Sequence, residues 1–253
     1  MSVDPTRLKA IVFDVDGTLY RQSGLRRAML FKLLREVVVR PCSGYATFRA
    51  LSAYRHAQEA LRGTEVEGAI AAAQLRLASE RSGQAEAIVL KAVARWMEQE
   101  PLPLLERFVD PALRGFLVAA RGKRLALGIL SDYPAASKLD AMGLTEFFDV
   151  VVAAQDAAVN RFKPHPSGLA EALRRLGAAP DECIYVGDRH EIDGAVAGAL
   201  GVPCVIVGSG SKATASPGST LGSPHALTHA LTEVSDYHEL HSLLFPSENE
   251  RTP

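Results

Sequence analysis

Two aspartates follow directly on a short apolar run near the start of the chain. The run Ala10–Phe13 predicts a buried strand, and Asp14 and Asp16 come immediately after it. Burial of an unpaired carboxylate is costly, so we expect the strand to end in a cleft at the carboxyl edge of a sheet, where α/β proteins bind ligands. Side chains alternate along an extended chain, which predicts that Asp14 and Asp16 lean the same way. Gly17 then allows a sharp turn.

Two convergent carboxylates can carry three kinds of chemistry. They are suitable ligands for a hard divalent cation such as Mg²⁺. One of them can act as a covalent nucleophile that forms an aspartyl-phosphate, and the other can act as a general acid and base. The simpler alternative is a strand that ends in an acidic turn with no chemical role. The polar residues at the other predicted strand ends bear on this choice.

Ser131 and Asp132 follow a second predicted strand, over 124–130. Pro134 suits the first position of a helix, so Ser131 would lie where the strand gives way to a helix N-terminus. Such a place readily binds an anion, and the hydroxyl of Ser131 could hold a phosphate oxygen. Asp132 is expected to cap the helix, with substrate contact as the alternative.

Lys163 and two further aspartates complete the set. Lys163 precedes Pro164, which keeps it out of the helical region, and its ammonium is suited to a phosphate or a buried carboxylate. Taken alone, a solvated loop lysine is the ordinary alternative. Asp188 follows a predicted strand over 183–186, and Asp193 lies in the first turn of the next helix. Asp193 could simply be a favourable charge against the helix dipole.

Strands alternate with helices in the second half of the chain. The pattern predicts strands over 124–130, 148–153, 183–186 and 203–207, and helices over 112–120, 135–142, 166–176 and 193–200. With Ala10–Phe13 this gives five strands, which favours an α/β fold with a doubly wound parallel sheet. A Ser- and Gly-rich loop over 209–223 and a last helix over 236–244, with Ser235 as its N-cap, complete the expected core.

A helical segment separates the first two predicted strands. Its four predicted helices cover 25–39, 46–61, 65–79 and 85–99. We expect a cap domain over 21–107, inserted into a core over 1–20 and 108–253, although helices covering one face of the sheet are the alternative. The segment holds 14 Lys and Arg against 9 Asp and Glu, a formal charge of +5. Either this is a solvated charged surface, or it faces the cleft and attracts anionic substrates.

Composition excludes several classes of partner. The net charge of −1 argues against a general nucleic-acid-binding protein. The three cysteines lack the spacing of a zinc or disulfide framework, which favours a reducing compartment. We find no signal-peptide pattern and no apolar run of the ~18 residues that span a membrane, so we expect a cytoplasmic protein without a membrane partner. A monomer and a homodimer both remain open.

The polar strand ends occur in an order that resembles a known family. Asp14-Val15-Asp16-Gly17-Thr18, Ser131, Lys163 and the pair Asp188/Asp193 are similar to the four motifs of the haloacid dehalogenase-like hydrolases. The resemblance covers 10–20 and 110–244. It points to the phosphatase branch with a helical cap of the first type, similar to phosphoglycolate phosphatases, although the helical segment shows no subfamily signature.

The resemblance implies a role for each motif residue. Asp14 would be the nucleophile, and Asp16 would protonate the leaving oxygen and then activate the hydrolytic water. Ser131 and Lys163 would hold the transferring phosphoryl group. The implied ligands of Mg²⁺ are the side chain of Asp14, the backbone carbonyl of Asp16, Asp188 and, in support, Asp193. Substrate contacts are expected from Thr18, Ser131 and Asp132, and from Arg26 and Arg27 at the start of the first cap helix.

These residues predict Mg²⁺-dependent hydrolysis of a small phosphorylated metabolite through an aspartyl-phosphate. By resemblance, the dehalogenase branch lacks an acid at the position of Asp16, because halide leaves without a proton, so Asp16 favours a phosphate ester. A phosphosugar mutase on the same scaffold is the enzymatic alternative. A phosphoacceptor signalling domain and a non-catalytic phosphate-binding protein are alternatives of another kind. The helical segment argues against the former, and the intact motifs argue against the latter. The sequence does not name the metabolite.

Overall fold

A six-stranded parallel sheet lies at the centre of the core in the computed structural model, which describes residues 7–208 and 231–246. The strands are β1 (Ala10–Phe13), β2 (Ala126–Ser131), β3 (Val150–Ala153), β4 (Cys183–Gly187), β5 (Cys204–Val207) and β6 (Leu231–Val234). Their order is β3-β2-β1-β4-β5-β6. The chain runs outward from β1 to β3 and then returns to β4 on the other side of β1. The carboxyl end of β1 is therefore the point where the strand order reverses, which is where open α/β sheets bind ligands.

The predicted helical segment lies between β1 and β2. It consists of α1 (Gln22–Val39), α2 (Pro41–Leu61), α3 (Ile70–Ser82), α4 (Glu86–Val93), which continues through a π-helical turn over Ala94–Gln99, and the short α5 (Leu102–Leu105). Helix α2 contacts α1, α3 and α4. Its small side chains, among them Ala50, Ala53 and Ala57, pack with Ala78 and Val89 in an apolar cluster of their own. The division into a cap domain over 21–107 and a core remains a prediction.

Helices cover both faces of the sheet, so β1 is apolar at every position. One face carries α6 (Leu113–Gly122), α7 (Ala136–Ala141) and α10 (Tyr237–Leu244), and the other carries α8 (Ser167–Leu176) and α9 (Ala195–Leu200). Ile11 and Phe13 join the apolar cluster on the first face, and Ala10 and Val12 join the cluster on the second. A strand buried on both faces is expected to be an unbroken apolar run. The predicted α/β fold with a doubly wound parallel sheet is confirmed.

The sheet differs from the prediction in one additional strand and in several strand boundaries. The sequence pattern does not predict β6, because Leu231–Val234 is a four-residue edge strand whose first three positions keep some exposure. Strand β2 begins at Ala126 and not at 124, because Arg124 adopts a left-handed φ of 61° in the turn after α6. The predicted loop over 209–223 lies outside the described residues. Within the described residues, no helix combines the length and the apolar character needed to cross a membrane.

Helix α10 packs beside the turn that follows β1. The buried phenol of Tyr237 donates a hydrogen bond of 3.2 Å to the backbone carbonyl of Thr18. The predicted N-cap of this helix is wrong by one residue. Asp236 is the N-cap, because its carboxylate accepts from two backbone N–H groups of the first turn, whereas Ser235 binds the side chain of Glu239. The end of the described chain is thereby anchored to the turn near its beginning.

Candidate active site

Three carboxylates meet at the carboxyl edge of the sheet. Asp14 follows β1, and its backbone N–H donates to the carbonyl of Val186 in β4 at 2.8 Å. Asp188 follows β4, and Asp193 lies in the helical turn His190–Gly194 that leads into α9. One oxygen of each carboxylate lies within 4.8 Å of the others. They meet because β1 and β4 are parallel neighbours in register and end at the same level. We refer to Asp14, Asp188 and Asp193 as the carboxylate trio.

Lys163 lies within the carboxylate trio and not in solvent. Its side chain is buried, and Nζ donates to Asp14 Oδ1 at 2.6 Å and to Asp193 Oδ1 at 2.8 Å. Asp193 also accepts from the hydroxyl of Tyr185 at 3.0 Å and from two backbone N–H groups of the loop after β4. The ammonium therefore bridges two buried carboxylates, and Asp193 fixes its position beside Asp14.

The carboxylate trio holds more negative charge than Lys163 balances. Burial raises the pKa of Asp14 to about 6, with Asp193 adding to the shift and Lys163 opposing it. The pKa of Asp188 is raised to about 7, first by burial and then by Asp14 and Asp193. Burial alone would lower the pKa of Lys163, but the attraction of Asp14 outweighs it and holds the pKa well above its ordinary value. Asp14 and Asp188 are thus easier to protonate than an aspartate in water.

Hard oxygen donors and unbalanced negative charge suit a hard divalent cation. Two glycines keep the donors close together. A Cβ at Gly17, which has a φ of 111°, would collide with the carboxylate of Asp188, and a Cβ at Gly187 would collide with Asp193. The carboxylate trio therefore fits the expected Mg²⁺, and its three side chains are the ones that would hold the ion.

Asp16 lies apart from the carboxylate trio. Lys138 Nζ, from α7, donates to its Oδ1 at 2.5 Å and to its Oδ2 at 2.7 Å, and the hydroxyl of Tyr20 donates to Oδ1 as well. Burial alone would raise the pKa of Asp16, but Lys138 and Tyr20 outweigh it and lower the pKa. Its side chain is not part of the trio, so a role in metal binding falls to its backbone carbonyl, as the family resemblance implies. The sequence does not single out Lys138 or Tyr20.

Thr18 and Ser131 are both buried at this sheet edge. Thr18 Oγ1 donates to Asp14 Oδ2 at 3.1 Å, so the second oxygen of that carboxylate is also held. Ser131 ends β2, and its Oγ accepts a long hydrogen bond of 3.4 Å from the backbone N–H of Tyr133. Within residues 7–208 and 231–246 the hydroxyl proton of Ser131 has no acceptor. It is therefore available to a phosphate oxygen.

Asp132 joins the helical segment to the core. Its Oδ2 accepts from Gln58 Nε2 at 2.9 Å and from Arg62 Nη2 at 2.7 Å, and its Oδ1 accepts from the backbone N–H of Lys163 at 3.1 Å. Arg62 also donates to the backbone carbonyl of Lys163. The expected capping role of Asp132 is wrong, because the N-cap of α7 is Ala135, which has no side-chain cap. Asp132 instead holds the loop that presents Lys163.

The polar face of α2 that makes these contacts carries a further arginine. Arg55, Gln58 and Arg62 are spaced i, i+3 and i+7, which places them on one side of a helix. This polar stripe is a signal in the sequence that predicts a docking face. Partial burial and the charge of Arg26 lower the pKa of Arg55, whereas Asp16 acts in the opposite direction. Arg55 is exposed to solvent.

The two arginines predicted at the start of α1 have different surroundings. Arg26 lies near Tyr20, whose pKa it lowers against the larger effects of burial and of Asp16, and near Arg55. Arg27 instead lines a separate pocket at the joint between the helical segment and the core. Arg26 is therefore near Tyr20 and Arg55, whereas Arg27 lies at the joint.

Comparison with known proteins agrees with the motif order. A family model described as haloacid dehalogenase-like hydrolase matches residues 8–201. Glyceraldehyde 3-phosphate phosphatase of Methanopyrus kandleri is 28% identical over 191 residues, which are 74% of this chain and 78% of that protein. Phosphoglycolate phosphatase of Escherichia coli (strain K12) is 35% identical over 102 residues, which are 39% of either chain. The match to the second relative thus spans well under half of its length.

Solved structures share the fold. The crystal structure of a HAD phosphatase from Thermococcus onnurineus superposes with a TM-score of 0.57 and 24% identity, over 94% of this chain and 98% of that one. At this identity the likeness concerns the fold. It extends through the helical segment as well as the sheet, because the superposition covers nearly the whole of both chains.

Proposed function

The chain belongs to the haloacid dehalogenase-like hydrolase family, in its phosphatase branch, and from this premise we propose that it hydrolyses a small phosphomonoester through an aspartyl-phosphate on Asp14. The observation that supports this mechanism is the setting of Asp14. Its carboxylate is buried at the end of β1, with one oxygen on Lys163 and the other on Thr18. A carboxylate fixed in this way is suited to attack phosphorus at a sheet edge.

The first step transfers the phosphoryl group to the protein. An oxygen of Asp14 forms a bond to phosphorus, and the bond between phosphorus and the ester oxygen breaks. Asp16 gives a proton to the departing oxygen, which leaves as an alcohol. Lys163 and the hydroxyl of Ser131 hold phosphoryl oxygens and stabilise the charge that these carry.

The second step releases phosphate. Asp16, now a carboxylate, takes a proton from water, the water oxygen bonds to phosphorus, and the bond to Asp14 breaks. The contact with Lys138 favours the ionised form of Asp16, which is the form this step requires. Inorganic phosphate and the carboxylate of Asp14 result.

Mg²⁺ is proposed as the cofactor, held by Asp14, Asp188 and Asp193. When bound, it supplies positive charge that brings the anionic substrate to the carboxylate trio. The ionisation of Asp188 depends most directly on Mg²⁺. Without a cation, its pKa of about 7 leaves it partly protonated near neutral pH.

The substrate is proposed to carry a second anionic group besides the phosphoryl group. Arg26 and Arg55 lie near each other on the helical segment, and Asp16 is among the charges that act on Arg55. Neither arginine has an ion-pair partner within residues 7–208 and 231–246. Two unpaired guanidinium groups suit a carboxylate or a second phosphate. Arg27 is not included, because it lines a different pocket.

Replacement of the nucleophile tests the proposal. Phosphate release from p-nitrophenyl phosphate and from a panel of phosphorylated metabolites is measured with Mg²⁺ for wild type, Asp14→Asn and Asp140→Asn. Asp140 is an exposed aspartate of α7 and serves as the matched control. We expect Asp14→Asn to lose turnover, because an amide cannot attack phosphorus, and Asp140→Asn to keep it. Near wild-type turnover in a folded Asp14→Asn protein, checked by circular dichroism, would exclude Asp14 from this role.

A further inference from the structure

A small pocket lies where the two connections between the helical segment and the core run side by side. Tyr20 pairs with Val109 in an antiparallel bridge, and the backbone N–H of Arg21 donates to the carbonyl of Phe108 at 2.8 Å. The pocket has a volume of about 290 Å³ and is lined by residues of both connections. No residue of the carboxylate trio lines it, nor do Asp16, Ser131 or Lys163. It is therefore separate from the catalytic site.

Three arginines give this joint pocket its charge. Arg21 and Arg27 come from the first connection and Arg107 comes from the second. No aspartate or glutamate is among the lining residues, and within residues 7–208 and 231–246 none of the three guanidinium groups has an ion-pair partner. Of the neighbouring acids, Glu106 does not line the pocket, and Asp110 accepts from the backbone N–H of Ala112.

Two arginines elsewhere in the helical segment are paired with acids. Arg62 contacts Asp132 at 2.7 Å, and Arg95 lies between Glu36 and Glu100. Three unpaired guanidinium groups around one small volume repel one another unless an anion is present. Each of them offers the forked donor geometry that matches phosphate oxygens.

The backbone and the pocket wall favour the same kind of ligand. Helix α1 is 18 residues long, and its N-cap Arg21 makes no side-chain cap. The backbone N–H of Ser23, which lines the pocket, is therefore uncapped, whereas the N–H of Gly24 donates to the carbonyl of Arg21 at 3.2 Å. The positive end of the helix dipole adds to the attraction of the three arginines. A Cβ at Gly24 would collide with the ring of Phe108, so the glycine allows α1 and the second connection to pack closely at the pocket wall.

We propose that the joint pocket binds a phosphate dianion, as free inorganic phosphate or as the phosphate group of a metabolite. The ligand would contact Arg21 and Arg27 on one connection and Arg107 on the other. Its binding would tie the two connections together and so restrain the helical segment relative to the core. The site is separate from the proposed reaction and does not depend on it.

Titration calorimetry tests this site with inorganic phosphate as the probe. We expect the Mg²⁺-loaded wild-type protein to bind phosphate at two classes of site, one catalytic and one in the joint pocket. The double variant Arg27→Ala/Arg107→Ala should lose one class, with at least about tenfold weaker binding there, because charge-assisted hydrogen bonds are removed. Arg76→Ala, an exposed arginine of α3, should match wild type, and Arg107→Lys should retain weakened binding.

A second arm separates the two sources of phosphate. Methylphosphonate, in which a methyl group replaces one oxygen, is titrated in the same way. Arginine-dependent binding of both probes assigns the pocket to the phosphate group of a metabolite, and binding of inorganic phosphate alone assigns it to free phosphate. Identical isotherms for wild type and the double variant, with thermal unfolding showing both to be folded, would overturn the proposal.

Discussion

At Asp16, contact with a lysine sets the protonation state before substrate is bound. Lys138 lies against both carboxylate oxygens and lowers the pKa of Asp16. The resting protein therefore favours the base that the second step of the proposed reaction needs. The first step needs the acid, so a poor leaving group depends more on Asp16 than an activated one such as p-nitrophenolate does.

Replacement of Asp16 is expected to separate the two steps. Asp16→Asn should slow turnover by about 10²–10⁴, the usual contribution of a general acid and base. With p-nitrophenyl phosphate the first step needs little acid, so a phosphorylated protein should accumulate. Acid quench followed by mass spectrometry should find the phosphate on Asp14. Asp140→Asn provides the control, and phosphate on any other residue would contradict the scheme.

Single residues differ in how far the sequence predicts their contacts. Asp14 and Asp188 can be placed at one sheet edge, because each follows an apolar strand and parallel strands end at the same level. Lys163 is predicted only as part of the ordered motif set. Lys138 is not predicted, because its contact with Asp16 spans 122 positions and depends on how α7 lies over the sheet. No local pattern distinguishes it from a surface lysine.

Among the elements, α2 connects the helical segment to the loops that carry Asp132 and Lys163. Gln58 and Arg62 hold Asp132, and Arg62 also binds the backbone of Lys163. A movement of α2 would therefore displace the loop that presents Lys163. Arg55, on the same side of the helix, is carried along with it.

The arginines at this edge are expected to govern substrate preference. Arg26→Ala and Arg55→Ala should raise KM for phosphomonoesters that bear a carboxylate by about tenfold or more, and should raise it less for p-nitrophenyl phosphate, which lacks the second anion. Steady-state kinetics on matched substrates gives the comparison. Arg76→Ala is the control and should change neither value. Equal effects on both substrates would leave the two arginines without a role in specificity.

Prediction of the elements succeeds where the sequence has a continuous apolar run and fails where the orientation of a side chain decides. The core strands follow from apolar runs that are buried on both faces, whereas β6 is too exposed and too polar to give that signal. Arg26 and Arg27 are neighbours on a helix, so they project about 100° apart. Which of them faces the cleft depends on how Leu25 is buried against the core, and this is a tertiary effect.

For the molecule as a whole, the carboxylate trio links pH, metal and stability. The pKa values of Asp14 and Asp188 are about 6 and about 7 in the folded protein, against 3.8 without the fold. Between pH 3.8 and about pH 7, the metal-free folded protein therefore binds more protons than the unfolded chain does. Its stability should fall as the pH rises through this range.

Mg²⁺ is expected to reverse this loss. The ion binds the ionised carboxylates, so it should raise the Tm more at pH 7.5 than at pH 5.5, where protons compete with it. Thermal unfolding with and without Mg²⁺ at both pH values measures the effect. Asp188→Asn should reduce the shift at pH 7.5, whereas Asp140→Asn should not. A shift of equal size at both pH values would contradict this prediction.

The contacts that hold Asp14 and Thr18 join parts of the chain that are made at very different times. The Lys163 contact of Asp14 spans 149 positions, and the Tyr237 contact of Thr18 spans 219. During synthesis, β1 leaves the ribosome long before Lys163 has been translated. The turn after β1 cannot contact Tyr237 until α10 has been made. Such non-local contacts form slowly. Asp14, the proposed nucleophile, is thus synthesised well before the residues that hold it in place, and the proposed hydrolysis can begin only after α10 has been translated and folded.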